Sequence, residues 1–266
     1  MGFNWNFFNR FGWAVLDPDK EMYEWIDQAK KISQQKLDKN YFNKKQLRCG
    51  GTWFVGANFL KNDSHGKLNG VSLKGKAVRS IVGRYGKLFS EWDQAQVSIC
   101  YRGYPQPSKS ETLASFNYRK NYFGAHLDGI IPIGQPKRRY AQQYHTFIFG
   151  IPLVNFNAFA APLVVWEGSH QIMRDAISRR LLKSSVKLWK DLDITEIYQE
   201  ARKEVFLKCE QKIIVVPLGG SYILHRQVLH GVMPWGKHGR SDEKGRMIAY
   251  FRPTLKEPQI WLNQNI

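Results

Sequence analysis

Leu224-His225-Arg226-Gln227-Val228-Leu229-His230-Gly231 closes a strand-like segment that begins at Ser221. Successive side chains of an extended chain point to opposite faces, so His225 and His230 have opposite parity and cannot both serve one face. His230 is the better metal ligand, because Gly231 lets the backbone turn close to an ion. His225 fits a structural role, or support of a ligand from behind. About a hundred residues upstream, His126-Leu127-Asp128 places an imidazole and a carboxylate two positions apart. On an extended segment both project from the same face and can share one cation. This pair alone is a weak signal, since a hydrogen-bonded surface pair has the same spacing.

Working outward, short β-branched or aromatic runs bounded by Gly or Pro predict strands at 96–101, 146–153, 163–166, 212–216, 221–224 and 247–251. Two helices are predicted between the third and fourth of these. Ser169 is the expected cap of the first, which runs to Leu181, and Asp193-Ile194-Thr195-Glu196 has the form of a capping box for the second. The first third reads as helix and loop. Asp17-Pro18 is expected to start a helix whose apolar face is Met22, Trp25, Ile26, Ala29 and Ile32, ending near Lys39-Asn40. A second helix is expected over 77–92, weakened by Gly83 and Gly86. Many short strands with a helical insertion predict a mainly β fold with flanking helices, of the jelly-roll or distorted-barrel kind. The expected organisation is one domain over 1–266. Residues 1–95 form a mostly helical part packing on the barrel, residues 96–253 the core, and 169–209 the helical insertion.

Composition narrows the function. The 266 residues are 43% hydrophobic and 14% aromatic, globular values, and no apolar run is long enough to span a bilayer. The opening Met1–Asn6 lacks a basic region followed by an apolar stretch, so no secretory leader is expected. Cys49, Cys100 and Cys209 are isolated, which suits a reducing cytoplasm. The formal charge is +18, with the lysines spread widely and the densest later cluster only Lys137-Arg138-Arg139. That spread disfavours nucleic acid, which needs a concentrated basic stripe. A solvated basic surface is the plain reading; an anionic small molecule drawn to a basic cavity mouth is the sharper one. Oligomeric state is not legible.

Two histidines and one carboxylate on one face leave three coordination positions open, as a non-haem Fe(II) oxygenase requires, although zinc or manganese also fits such a face. A dicarboxylate co-substrate would need a cation within reach. Arg246 opens the strand after His230, and its planar fork matches a carboxylate bidentately. Arg240 and Arg252 remain competitors, the latter sharing strand parity with Arg246.

From roughly Gln96 to Pro253 the chain resembles the phytanoyl-CoA dioxygenase family. The resemblance is carried, in family order, by His126-Leu127-Asp128, by Pro162–His170 with its Gly168-Ser169-His170 end, by Ser221–Gly231, and by Arg246. It implies a double-stranded β-helix, cupin-like, using Fe(II), 2-oxoglutarate and O₂. It implies His126, Asp128 and His230 as iron ligands and catalytic residues, Arg246 as the 2-oxoglutarate partner, and a structural His170. The implied reaction is hydroxylation of a small-molecule or acyl substrate, with oxidative decarboxylation of 2-oxoglutarate to succinate and CO₂. This chain departs from the family in Phe159-Ala160-Ala161, in Glu167 before the Gly-Ser-His end, in Val232 and in the long 230–246 loop. Those departures bear on the substrate and on part of the co-substrate contacts. Two other classes stay open: a cupin-like metalloenzyme that uses no 2-oxoglutarate, and a non-catalytic basic binding protein.

Overall fold

The structure, a computed structural model, describes residues 2–109 and 111–263. In chain order the elements are α1 (Trp5–Phe11), β1 (Trp13–Leu16), α2 (Tyr23–Asp38), β2 (Leu47–Arg48), β3 (Trp53–Gly56), α3 (Lys76–Tyr85), β4 (Gln96–Tyr101) and α4 (Leu113–Asn121). They continue with β5 (Ile130–Ile133), β6 (Arg138–Ala141), β7 (Phe147–Pro152), β8 (Leu163–Trp166), α5 (Ser169–Leu181), α6 (Thr195–Lys208), β9 (Gln211–Ile214), β10 (Ser221–His225), β11 (His230–Val232) and β12 (Gly245–Phe251).

The strands form a seven-stranded sheet in the order β1-β10-β7-β12-β4-β3-β2, a three-stranded sheet β11-β8-β9, and the hairpin β5-β6. Every pairing between these strands is antiparallel. Period-2 alternation builds the layers. Ile148 on β7, Leu163 and Val165 on β8, Leu224 on β10 and Ile248 on β12 meet between the two sheets. Their neighbours point the other way. Phe147, Phe149, Ile151, Met247, Ala249 and Phe251 pack with Trp25 and Ile26 of α2 and with Ile81 of α3. Val164 and Trp166 face Met173 and Ile177 of α5 and Tyr198 of α6. Burying each large apolar side chain contributes roughly 1.5–3 kcal/mol, so a one-residue slip of any central strand would expose one layer and bury polar groups in the other. The inner layer requires a glycine at one point. Gly150 pairs with Tyr222, and a Cβ there would sit 2.2 Å from the tyrosine ring.

This is the mainly β fold with flanking helices expected from the strand pattern, a jelly roll of two facing sheets. The first third differs from its helical reading. β1 pairs with β10 and β3 with β4, so both extend the large sheet. These strands of four residues each are too short to display a period. The helix starts also moved. Asp19, not Asp17, caps the turn before α2, because its Oδ2 also accepts from the backbone N of Lys76 at 2.6 Å. Ser169 lies inside α5, behind Gly168, and its Oγ accepts from the backbone N of Leu229 at 2.9 Å. At α6, Asp193 accepts from Thr195, while Glu196 pairs with Arg138, so no reciprocal box forms. α3 stops at Tyr85, just before Gly86.

Candidate metal centre

The two segments that carry the histidines meet backbone to backbone. The backbone N of His126 donates to the carbonyl of His230 at 2.9 Å, and the N of His230 donates back at 3.2 Å. The imidazole centroids are 4.6 Å apart. Gly231 makes this approach possible, for a reason other than the one read from sequence. A Cβ there would stand 2.4 Å from the carbonyl oxygen of Phe123, which accepts from the N of Val232 at 3.0 Å. The small residue is needed against the His126 segment, not against an ion. His126 forms an isolated bridge and Asp128 lies in the turn that follows. Leu127 points away into the α5–α6 core.

His126, Asp128 and His230 each bring one ligand atom to a common point, all within 4.8 Å of one another. Among the described residues no other group of His, Cys, Asp and Glu does so. Oδ1 of Asp128 lies 3.3 Å from Nε2 of His126 and 3.9 Å from Nε2 of His230. The other ring nitrogens are already committed. Nδ1 of His126 is 3.0 Å from the carbonyl of Gly124, and Nδ1 of His230 is 3.1 Å from that of Val228. A carbonyl only accepts, so both Nδ1 atoms carry the hydrogen and both Nε2 lone pairs are free, the tautomer a metal needs.

The charge states agree with this. Burial pushes His230 down to about 4, helped by the neighbouring His126, which keeps it neutral near pH 7. Burial alone would raise Asp128. The positive charge of Arg252 leads the groups that outweigh it and hold the carboxyl well below its usual range. Arg252 fixes the second oxygen: its Nη1 donates to Oδ2 of Asp128 at 3.3 Å and its Nη2 to Oε1 of Gln96 at 2.7 Å. Asp128 therefore offers Oδ1 to a cation while an arginine holds Oδ2.

The three candidate arginines separate cleanly. Arg240 is exposed on the loop before β12. Arg252 is engaged as above. Arg246 is 1% exposed on the same inward face of β12 as Tyr250, which lines the triad's cavity. Among the described residues its side chain reaches Sγ of Cys100, at 3.8 Å, and the ring of Phe156, and its Nε has no hydrogen-bond partner. Burial pushes the Cys100 thiol up and the Tyr222 phenol well up, so neither supplies an anion near pH 7. Among the described residues, no carboxylate pairs with Arg246. An uncompensated buried charge costs several kcal/mol unless a ligand neutralises it.

The triad opens into a cavity of about 410 Å³. Ile148, Leu163 and Leu224 form its floor, and Trp53, Ile131 and Pro132 stand among its walls. A larger groove of about 750 Å³ lies elsewhere, between Leu37 of α2 and Ile99 and Met247 of the large sheet. Among the described residues it holds no ligand cluster. The smaller cavity is the candidate site because the triad is in it.

The chain shares its fold with a solved structure. That structure is SnoK, a non-heme alpha-ketoglutarate-dependent carbocyclase from nogalamycin biosynthesis, at TM-score 0.53 and 10% identity, over 93% of this chain and 82% of that one. Further similarities are to EctD from S. alaskensis with bound Fe (TM-score 0.47, 12% identity, 98% and 82% covered) and to a Pseudomonas putida prolyl-4-hydroxylase (0.45, 10%, 94% and 96%). No family model and no curated protein matches the sequence. At such identities the likeness is one of fold, and the site stands on its own geometry.

Proposed function

We propose that the chain is an Fe(II)- and 2-oxoglutarate-dependent dioxygenase of the phytanoyl-CoA dioxygenase kind, which hydroxylates a small-molecule or acyl substrate. The observation that carries this is a pair of features inside one sandwich. A cation site is preset by two imidazoles with free Nε2 atoms and one fixed carboxylate oxygen. A buried arginine without a counter-charge stands on the same inward face as the cavity lining. The donor set of two nitrogens and one oxygen fits Fe(II) and leaves three positions for a bidentate keto acid and O₂.

In this reading Nε2 of His126, Nε2 of His230 and Oδ1 of Asp128 hold the ion. Arg246 takes the distal carboxylate of 2-oxoglutarate, and the co-substrate removes the cost of its buried charge. Bound iron would supply the activation of O₂ coupled to decarboxylation of 2-oxoglutarate to succinate and CO₂. The protein's own work is positional. Val228 and Gly124 keep the imidazole tautomers, Arg252 keeps the Asp128 carboxylate from rotating, and the Ile148, Leu163 and Leu224 floor excludes water. A basic binding protein without catalysis has no use for such a triad, and a cupin-like enzyme without the keto acid leaves Arg246 unpaired.

We further assign the protein to a reducing compartment, the cytoplasm, since Cys49, Cys100 and Cys209 are all free thiols. Among the described residues, no helix is long and apolar enough to cross a membrane. The decisive experiment adds Fe(II) and 2-oxoglutarate anaerobically. A weak visible charge-transfer band should appear, and succinate should form once air and substrate are admitted. Absence of both from the metal-loaded protein would sink the proposal.

A further inference from the structure

The wall of the triad's cavity carries more positive charge than the proposed chemistry uses. Its charged lining residues are Arg48, Arg139, Arg252 and Asp128. Arg252 is engaged with Asp128, and those two charges offset each other. A divalent ion and dianionic 2-oxoglutarate likewise cancel. With Arg246 set against the distal carboxylate of the co-substrate the balance stays positive, and on the cavity wall itself two guanidinium charges remain, those of Arg48 and Arg139.

Neither has a side-chain hydrogen bond or ion pair among the described residues, yet each is held over an aromatic face. Arg48 lies 5.8 Å from the Trp53 ring centroid and Arg139 4.9 Å from that of Tyr198. Strand parity makes the contrast. Arg138, the neighbour of Arg139 on β6, turns outward and is saturated by Asp193 and Glu196 at 2.5 Å each. Arg139 pairs with Pro132 across the hairpin, and both line the cavity. Stacking orders a guanidinium while leaving its N–H fork free, which suits recognition of a carboxylate or phosphate. The same wall also carries the apolar Trp53, Ile131 and Pro132.

We infer that the substrate is an amphipathic anion: an apolar body lies in the cavity against Trp53, Ile131 and Pro132, and Arg48 and Arg139 hold its acidic headgroup. This rests on the oxygenase reading and names the substrate class of that site. The headgroup is a phosphate or a carboxylate, chemistries that the same two forks accept.

The test uses the full chain loaded with redox-inert Ni(II) and saturated with 2-oxoglutarate, and calorimetric binding of octyl phosphate, octanoate and octanol as matched probes. At least one of the two anions should bind about tenfold or more tightly than octanol. That preference should shrink as salt rises and disappear in the Arg48→Gln/Arg139→Gln double variant. The stronger anion identifies the headgroup. Octanol binding as tightly as both anions, unchanged anion binding in the double variant, or anions that displace 2-oxoglutarate would each overturn the inference. The keto acid titration is run separately on the same samples. Lost headgroup preference with intact 2-oxoglutarate binding overturns the substrate assignment alone, and the reverse outcome overturns the oxygenase reading.

Discussion

Replacing Arg246 with Met should make the ligand-free protein more stable while abolishing its response to 2-oxoglutarate. The side chain is 1% exposed, contacts a neutral thiol at 3.8 Å and leaves Nε unbonded. Met has a similar length, so little packing is lost. Removing a buried charge without a counter-ion should gain roughly 1–4 kcal/mol. For a chain of 266 residues, an unfolding entropy near 2 cal/mol/K per residue makes each kcal/mol worth about 2 °C. A gain of about 2 kcal/mol is thus a Tm rise of about 4 °C. In the parent, 2-oxoglutarate at a hundred times its Kd should add about 2.7 kcal/mol, or about 5 °C. In Arg246→Met the two forked hydrogen bonds to the distal carboxylate are gone. At roughly 1.5–3 kcal/mol each for a charged partner, affinity falls more than a hundredfold, and the ligand shift at that concentration vanishes. Thermal unfolding of Ni(II)-loaded protein, with and without 2-oxoglutarate, reads both effects. A variant less stable than the parent without ligand, or one that keeps the 2-oxoglutarate shift, would show that Arg246 is an ordinary structural arginine.

Other expectations follow from the same geometry. Arg252→Gln frees Oδ2 of Asp128 and should weaken Co(II) binding by about 10–100-fold, with Arg252→Lys between variant and parent; equal affinity in all three refutes the anchoring role. Gly231→Ala forces a Cβ to 2.4 Å from the Phe123 carbonyl. It should cost about 1–3 kcal/mol in urea unfolding and weaken metal binding by separating His126 from His230, whereas a silent substitution would mean the segments adjust freely. The fold should also be acid-labile at His170. Burial pushes this imidazole down to about 4, with the Asn9 carbonyl and Asp175 opposing the shift and Arg174 and Arg226 adding repulsion, and burial pushes the adjacent His225 well down too. A base with its folded pKa depressed below the unfolded value contributes stability that is complete above about pH 6.5 and is lost as pH falls toward 4. For His170 that loss is on the order of 3 kcal/mol. His170→Gln should flatten the urea midpoint between pH 7 and 4.5, and an unchanged slope would remove His170 as the cause.

Much of the core was legible because strand parity is a local property. Backbone geometry alone sends alternate residues to opposite faces, so the strands at 96–101 and 163–166 and the shared face of His126 and Asp128 could be read without knowing any partner. The same rule separated His225, which packs against His170 at 4.7 Å between ring centroids, from His230 at the cavity. What parity cannot supply is the identity of a neighbour. Arg246 and Arg252 share a face, so parity alone could not choose between them, and the preference for Arg246 rested on the resemblance. Tertiary packing places Asp128 and Gln96 beside Arg252 and only apolar or neutral groups beside Arg246, and the electrostatic cost of that burial singles it out. The strands β1, β2 and β3 escaped detection because two to four residues carry no period, and their hydrogen bonds go to segments far along the chain. The pairing His126–His230 was suggested by residue type. The two reciprocal backbone hydrogen bonds that set their spacing exist only once 103 residues of intervening chain have folded, since such contacts are made by packing and not by any local preference of the sequence.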